Sequence, residues 1–393
     1  MQIHWIWFAG LNKISAAQKI ALLERFSDPE EIFTLGAAAL KQTESVTDQM
    51  LQEMNTKDLS AAEKIVKICA DKGIDIVTFA DKAYPARLRN IYDPPMVLYC
   101  KGTLPNTEAA PVIGVVGTRK ATAYGLSVAR DMSRQIAACG GIVVSGGAGG
   151  IDTLALQGAL EMEKSVVAVL GCGVDICYPK ENKRLFDRIP EKGCLISEYA
   201  PGTRPYSWNF PRRNRIISGM SNGVLVVEAP EKSGALITAR DALEQGRDVF
   251  VVPGNINVAT CAGSNALLQG YAMAAFTGWD ILQEYQQMYP GAVQKREVPA
   301  HIREAEYTPA KVAQQPLKPQ QETNPASAKT IQLTADEEMV AKCLTQEPRQ
   351  VDEIIAQLKL PAAKVMSILT MLTVKGVVRS HPGKRVSKIC GGK

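Results

Sequence analysis

Val112-Ile113-Gly114-Val115-Val116, closed by Gly117-Thr118-Arg119, is an unbroken apolar run ending in glycine and a cation. A strand with one face in water alternates apolar and polar residues. This run has no polar position, as in a strand buried on both faces. The pattern returns in Gly141-Ile142-Val143-Val144-Ser145, Val166-Val167-Ala168-Val169-Leu170, Leu195-Ile196-Ser197, Val224-Leu225-Val226-Val227-Glu228 and Val249-Phe250-Val251-Val252. Helix-length segments separate the runs, among them 125–138, 151–160 and 235–245. Strand alternating with helix predicts an α/β fold, a doubly wound parallel sheet with right-handed crossovers.

The flanks read differently. Residues 1–80 carry apolar spacings of three and four, as in Ala17-Ile20-Ala21-Leu22 and Ala61-Ala62-Ile65-Val66-Cys69, and predict a helical domain. Ser15 and Ser60 stand where N-caps open those helices, and Asp28-Pro29 reads as a further cap followed by proline. The α/β domain is expected over 81–286, with 81–110 as a proline-marked lead-in. Residues 287–333 are rich in Pro, Gln, Lys and Ala and predict a flexible linker. Thr334 with Glu337 forms a capping-box pattern that opens a last block, 334–393. Helices at 336–345, 351–358 and 361–375, then two short strands around His381-Pro382-Gly383, suggest a winged helix.

The 393 residues carry 45 Lys+Arg against 40 Asp+Glu, a net charge of +5. Residues 1–110 are net −2, 111–285 net +1 and 286–393 net +6, so the excess sits at the C-terminus. That asymmetry suits either a polyanion partner or a solvated lysine-rich tail. Apolar residues make up 46% of the chain, which excludes a disordered, collagen-like or disulfide-stapled protein. No uncharged apolar run is long enough to span a bilayer. The first ten residues lack Lys and Arg and lead into no clean apolar core, so no secretory signal is expected. Nine scattered cysteines without a CxxC, and three distant histidines, give no zinc site by spacing. Free thiols in a cytoplasmic protein are the simplest reading.

Parallel sheets bind ligands beyond the carboxyl ends of their strands. Here those ends hold Gly117-Thr118-Arg119, then Ser145-Gly146-Gly147-Ala148-Gly149-Gly150-Ile151-Asp152, then Gly171-Cys172-Gly173-Val174-Asp175 with Tyr178-Pro179-Lys180, then Ser197-Glu198. Glycine lets backbone N–H groups approach an anion, and a helix start adds unpaired donors. Neither GxGxxG nor GxxxxGK[ST] occurs, so the sheet is read as holding phosphate without dinucleotide or triphosphate machinery. Trp208-Asn209-Phe210-Pro211-Arg212-Arg213-Asn214-Arg215 places three arginines and two aromatics at a helix start. Rings beside cations suit single-stranded nucleic acid, while rings in the core under a solvated helix start are the alternative. Asp152, Asp175 and Glu198 suit acid–base work, or else satisfy nearby amides and arginines.

These motifs, with Ser233-Gly234-Ala235-Leu236-Ile237-Thr238-Ala239, Val251-Val252-Pro253-Gly254 and Gly263-Ser264-Asn265, resemble the DNA-processing protein family DprA, also called Smf. Tyr84-Pro85, Asp93-Pro94-Pro95 and Leu98-Tyr99 resemble the family's lead-in. The resemblance implies an extended Rossmann-like domain, an N-terminal helix-hairpin-helix or SAM-like domain and a C-terminal winged helix. It implies a cytoplasmic, non-catalytic homodimer, without cofactor or metal. It also implies that the protein binds single-stranded DNA, protects incoming strands during natural transformation and loads RecA recombinase onto them. The DNA-binding residues it points to are Gly117, Thr118, Arg119, Ser145, Gly146, Gly147, Gly150, Lys180, Asn182, Phe210, Arg212, Arg213, Asn214 and Arg215. Two positions depart from the pattern: Gly149, where many members carry a larger or basic residue, and Gly10-Leu11-Asn12, which lacks a hairpin's second glycine. Two other classes are weighed against this one: an enzyme acting on nucleoside monophosphates through Glu198, and a winged-helix regulator reading a duplex.

Overall fold

The six apolar runs become adjacent parallel strands at the centre of a nine-stranded sheet. The structure, a computed structural model, describes residues 2–26, 28–42, 46–299 and 302, then 334–347, 349–358 and scattered positions from 360 to 388. It divides into two units, residues 1–308 and 309–393. In the first, five helices open the chain: α1 (Gln2–Gly10), α2 (Ala16–Phe26), α3 (Pro29–Leu35), α4 (Asp48–Asn55) and α5 (Ser60–Lys72). The order then runs β1 (Asp75–Thr78), α6 (Ala86–Arg89), β2 (Val97–Gly102), β3 (Val112–Val116), α7 (Ala123–Ala138), β4 (Ile142–Ser145) and α8 (Ile151–Glu161). It continues with β5 (Val166–Val169), α9 (Lys183–Lys192), β6 (Cys194–Ser197), α10 (Asn209–Met220), β7 (Gly223–Val226) and α11 (Gly234–Glu244). Last come β8 (Asp248–Val251), α12 (Ala262–Leu268), β9 (Met273–Ala274) and α13 (Gly278–Leu282).

Across the sheet the order is β1-β2-β6-β5-β4-β3-β7-β8-β9. The strands from β6 to β9 pair in parallel, and β2 runs antiparallel to both β1 and β6. The chain winds outward from β3 to β6, crosses back, and winds outward again from β7. That reversal puts the topological switch point between β3 and β7, beyond Val116 and Val226.

The missing alternation has a direct cause: successive side chains enter two different cores. Ile113, Val115, Val143, Ala168, Leu195, Leu225 and Phe250 join α7, α8 and α9 on one face. Val112, Val116, Val144, Val167, Ile196, Val224 and Val251 join α10 and α11 on the other. Burying each such side chain stabilises the fold by about 1.5–3 kcal/mol. The N-terminal helices share the first core through Trp5, Phe8, Leu22 and Met54, so they are not a separate body. β1 lies inside the stretch expected to be helical, because Ile76 and Thr78 alternate inward beside β2.

The linker expected from residue 287 begins later. Tyr289, Val293 and Val298 are buried. The Tyr289 hydroxyl accepts from Asn222 Nδ2 at 3.1 Å and from Arg87, and Gln294 N donates to Cys139 O at 3.1 Å. The remainder of the expected linker, except residue 302, lies outside the described residues. The second unit holds α14 (Ala335–Lys342), capped by Thr334 and Glu337 as the sequence predicts. It continues with β10 (Arg349–Gln350), α15 (Val351–Leu358), β11 (Val378–His381) and β12 (Arg385–Lys388). The strand order is β10-β12-β11, one strand more than expected. Most of the helix expected at 361–375 lies outside the described residues, but 364, 365, 368, 369, 371 and 372 are helical. Val340, Ile354, Val365, Leu372, Val378 and Val386 form this unit's core. Among the described residues, no helix is long and apolar enough to cross a membrane.

Tyr289→Ala in the full chain should cost about 3–5 kcal/mol, the range for removing a buried ring. A urea titration followed by tryptophan emission reads this, and an unchanged midpoint would return the linker's start to 287.

Candidate nucleic-acid interface

At the switch point the ends of β3 and β7 are tied together. Thr118 N donates to Glu228 O at 2.7 Å. The Glu228 carboxyl is buried and accepts from Thr122 N at 3.0 Å and Thr122 Oγ1 at 3.1 Å on one oxygen, and from Thr260 on the other. It thereby anchors the start of α7. Gly117 has no room for a side chain, since a Cβ there would lie 2.5 Å from Ile151 Cγ1. The same closeness governs Gly150, at φ +80°, where a Cβ would sit 2.5 Å from Thr118 O.

The glycine-rich turn after β4 is braced from beneath. Arg213 is 4% exposed and donates to Gly146 O at 2.5 Å and to Val169 O. Asp152 lies beside it and accepts from the Ala148 amide at 3.4 Å. Burial pushes the Asp152 carboxyl up to about 6 despite the opposing pull of Arg213, and burial lowers Arg213 to about 10. Ser145 Oγ donates to Val115 O at 2.7 Å, and Asn182 Nδ2 to Gly147 O at 2.9 Å. Ser145, Asn182 and Arg213 are therefore buried struts of the turn, and Arg213 and Asn182 also border the cavities there.

Successive helical residues point about 100° apart, so the arginines of α10 diverge. Arg212 is exposed and lies 3.8 Å from Asp93. Arg215 is held by Glu198 at 2.8 and 2.7 Å and by Asp93 at 3.0 Å; Glu198 and Asp93 raise its pKa in spite of burial. Asn214 Nδ2 donates to Gly234 O at 3.2 Å, joining α10 to the start of α11. Arg215 and Glu198 thus satisfy each other, and Asp175 pairs with Lys72 at 2.6 Å.

Above these struts lies a cleft of about 660 Å³, lined by Val116–Lys120, Phe210, Asn214 and Lys232–Ala235. A smaller pocket of about 290 Å³ adjoins it, and Arg119, Ala148, Tyr178 and Phe210 line both. The Arg119 guanidinium lies over the Phe210 ring at 5.4 Å, and the Tyr178 ring is 5.4 Å from Phe210. Arg119, Lys120, Lys180 and Lys232 are exposed and have no carboxylate at ion-pair distance among the described residues. Lys120, Tyr178 and Lys232 were not among the predicted contacts. Their signal was their position beside strand ends: Lys120 next to Arg119, and Lys232 just before the Ser233 cap of α11.

The sheet and its contents define a Rossmann-like protein whose switch-point cleft is rimmed by cations and rings instead of a nucleotide-cofactor motif. Residues 75–286 match the model of the family DNA recombination-mediator protein A, and residues 324–384 match the DprA winged helix domain. The chain belongs to this DprA/Smf family of DNA-processing proteins. It is 39% identical over 253 residues to the DNA processing protein DprA of Bacillus subtilis, covering 61% of this chain and 85% of that one. Protein Smf of Synechocystis is 31% identical over 408 residues, with 98% of each chain covered. The X-ray structure of DprA from Streptococcus pneumoniae superposes with a TM-score of 0.63 at 32% identity, covering 72% of this chain and 98% of that one.

The Asp152 shift has a defined sign. Its folded pKa, about 6, lies above the unfolded value of roughly 3.9, so the folded state holds the extra proton between them. The stability this contributes is complete below pH about 4 and lost as pH rises through 6, at up to about 1.4 kcal/mol per pH unit. Asp152→Asn should lack that slope in urea titrations from pH 4 to 7; parallel profiles for the two proteins would refute the buried-acid reading.

Proposed function

We propose that the protein is a non-catalytic single-strand DNA-binding protein that lays the strand's phosphates along the switch-point rim. The observation that carries this reading is the Arg119 guanidinium over Phe210, beside Tyr178, at the shared mouth of the two cavities. Cations that track phosphates next to rings that stack on bases are what an unpaired strand requires. Arg119, Lys120, Lys180, Arg212 and Lys232 are the phosphate contacts. Phe210 and Tyr178 are the stacking rings. Gly117, Thr118, Gly147 and Gly150 shape the backbone, and Ser145, Asn182, Arg213, Asn214 and Arg215 hold it in place. Glu198 is bound by Arg215 and Asp152 lies under the turn, which supports a role without acid–base catalysis.

From the family resemblance the strand is incoming DNA, protected and handed to RecA recombinase during natural transformation, in the cytoplasm. A homodimer fits the exposed apolar side chains Tyr271, Met273 and Phe276 in and beside edge strand β9, with Ile256 after β8. Edge strands with exposed apolar groups invite pairing.

Anisotropy titrations with labelled single- and double-stranded oligonucleotides across salt test the grip. Arg119→Ala should weaken single-strand binding and lower the salt slope by about 0.7, one phosphate's share. Phe210→Ala should cost about 1–3 kcal/mol with the slope kept. Wild-type affinity in Arg119→Ala, or a preference for duplex, would overturn the reading.

A further inference from the structure

Two residues before Phe210 the chain carries a second aromatic feature that the grip does not use. The rings of Tyr206 and Trp208 are stacked, with centroids 4.7 Å apart and planes 6° from parallel. Even so stacked, Trp208 remains 68% exposed and Tyr206 44%. Leaving that much ring area in water forgoes burial worth about 25 cal/mol per Å². The chain's other tryptophans do not behave this way: Trp5 and Trp7 are buried, and Trp279 packs against the core.

The pair is fixed in place. Pro205 and Ser207, which alternate with the two rings along the chain, line the large cleft. Gly173 N donates to Thr203 O at 3.0 Å, Asn209 N to Tyr206 O at 3.0 Å, and Asn209 Nδ2 to Gly171 O at 2.9 Å. The segment is therefore tied to the end of β5 on both sides of the rings. Arg204 is exposed just before the pair and Arg212 just after it. A flat apolar surface already ordered, beside cations and next to a phosphate-suited cleft, favours a flat ring on a charged backbone.

We propose that Tyr206 and Trp208 form a stacking platform for an unpaired base of the strand, outside the cleft and beyond the phosphates held at Arg119. This rests on the single-strand reading above and extends the contact by one base. The incoming ring adds to an existing two-ring stack, so no side-chain ordering opposes it. Because neither side chain is charged, the platform adds affinity without adding to the salt slope.

The test follows tryptophan emission and the anisotropy of a labelled thymidine oligomer in one titration of the full-length chain. Strand binding should quench emission, and Trp208→Phe should abolish most of the quench while keeping affinity near wild type. Trp208→Ala and Tyr206→Ala should each weaken binding, the former by about 5- to 150-fold, with the salt slope unchanged. Trp208 is exposed, so the alanine variant should fold; recovery of affinity in the phenylalanine variant separates stacking from misfolding. Normal anisotropy binding with no quench and wild-type affinity in Trp208→Ala would overturn the platform and leave the Arg119 grip standing. Equal quenching by a fully paired duplex would also overturn it, since paired bases have no free face to offer. Absence of any strand binding by the wild-type chain would bring down both readings together.

Discussion

The carboxyl edge of the sheet is held by a charge that never reaches the surface. Arg213 reaches back from α10 to the carbonyls of Gly146 and Val169, so one side chain spans the ends of β4 and β5. Burying a guanidinium is costly unless its charge and its donors are satisfied. Here two carbonyls take the donors and Asp152 supplies the charge, from the first turn of α8. Remove this contact and the glycine turn loses its floor, α10 loses its depth, and Phe210 loses the position that puts it under Arg119. The exposed rim therefore rests on a buried arginine whose donors are taken by backbone carbonyls.

That dependence explains which parts of the site were legible in the sequence. The strands were, because a run such as Val112–Val116 can only be stable between two apolar layers. The motif around Phe210 stood out through its density of arginine. What the pattern could not assign was direction. Arg212, Arg213 and Arg215 look alike in sequence, yet one faces water, one faces the core and one faces Glu198 and Asp93. The helical period separates their directions, but only packing decides which direction is inside. Asp152 was readable in both ways; it lies buried and accepts from the Ala148 amide. The late start of the linker was hidden for another reason. In residues 287–299 three buried anchors, Tyr289, Val293 and Val298, outweigh a composition dominated by polar residues.

Net charge misleads here in the same manner. Residues 111–285 sum to about neutral, but charges are not spent equally. Arg215 pairs with Glu198 and Asp93 and Arg213 lies buried near Asp152, whereas Arg119, Lys120, Lys180 and Lys232 face the solvent with no carboxylate at ion-pair distance among the described residues. The second set acts at the rim over distances where salt screening matters.

The carboxyl of Glu228 carries a last consequence. In dinucleotide-binding sheets the first helix after the switch-point strand offers its open amides to a pyrophosphate. Here that helix is α7, and its opening amide and hydroxyl at Thr122 are already taken by Glu228, which is itself held by Thr260. Glu228 thus places the protein's own negative charge at the helix start, where an anion would otherwise be drawn. What remains beyond it is the cleft of about 660 Å³, bounded by Arg119, Lys120 and Lys232 rather than by an open helix start.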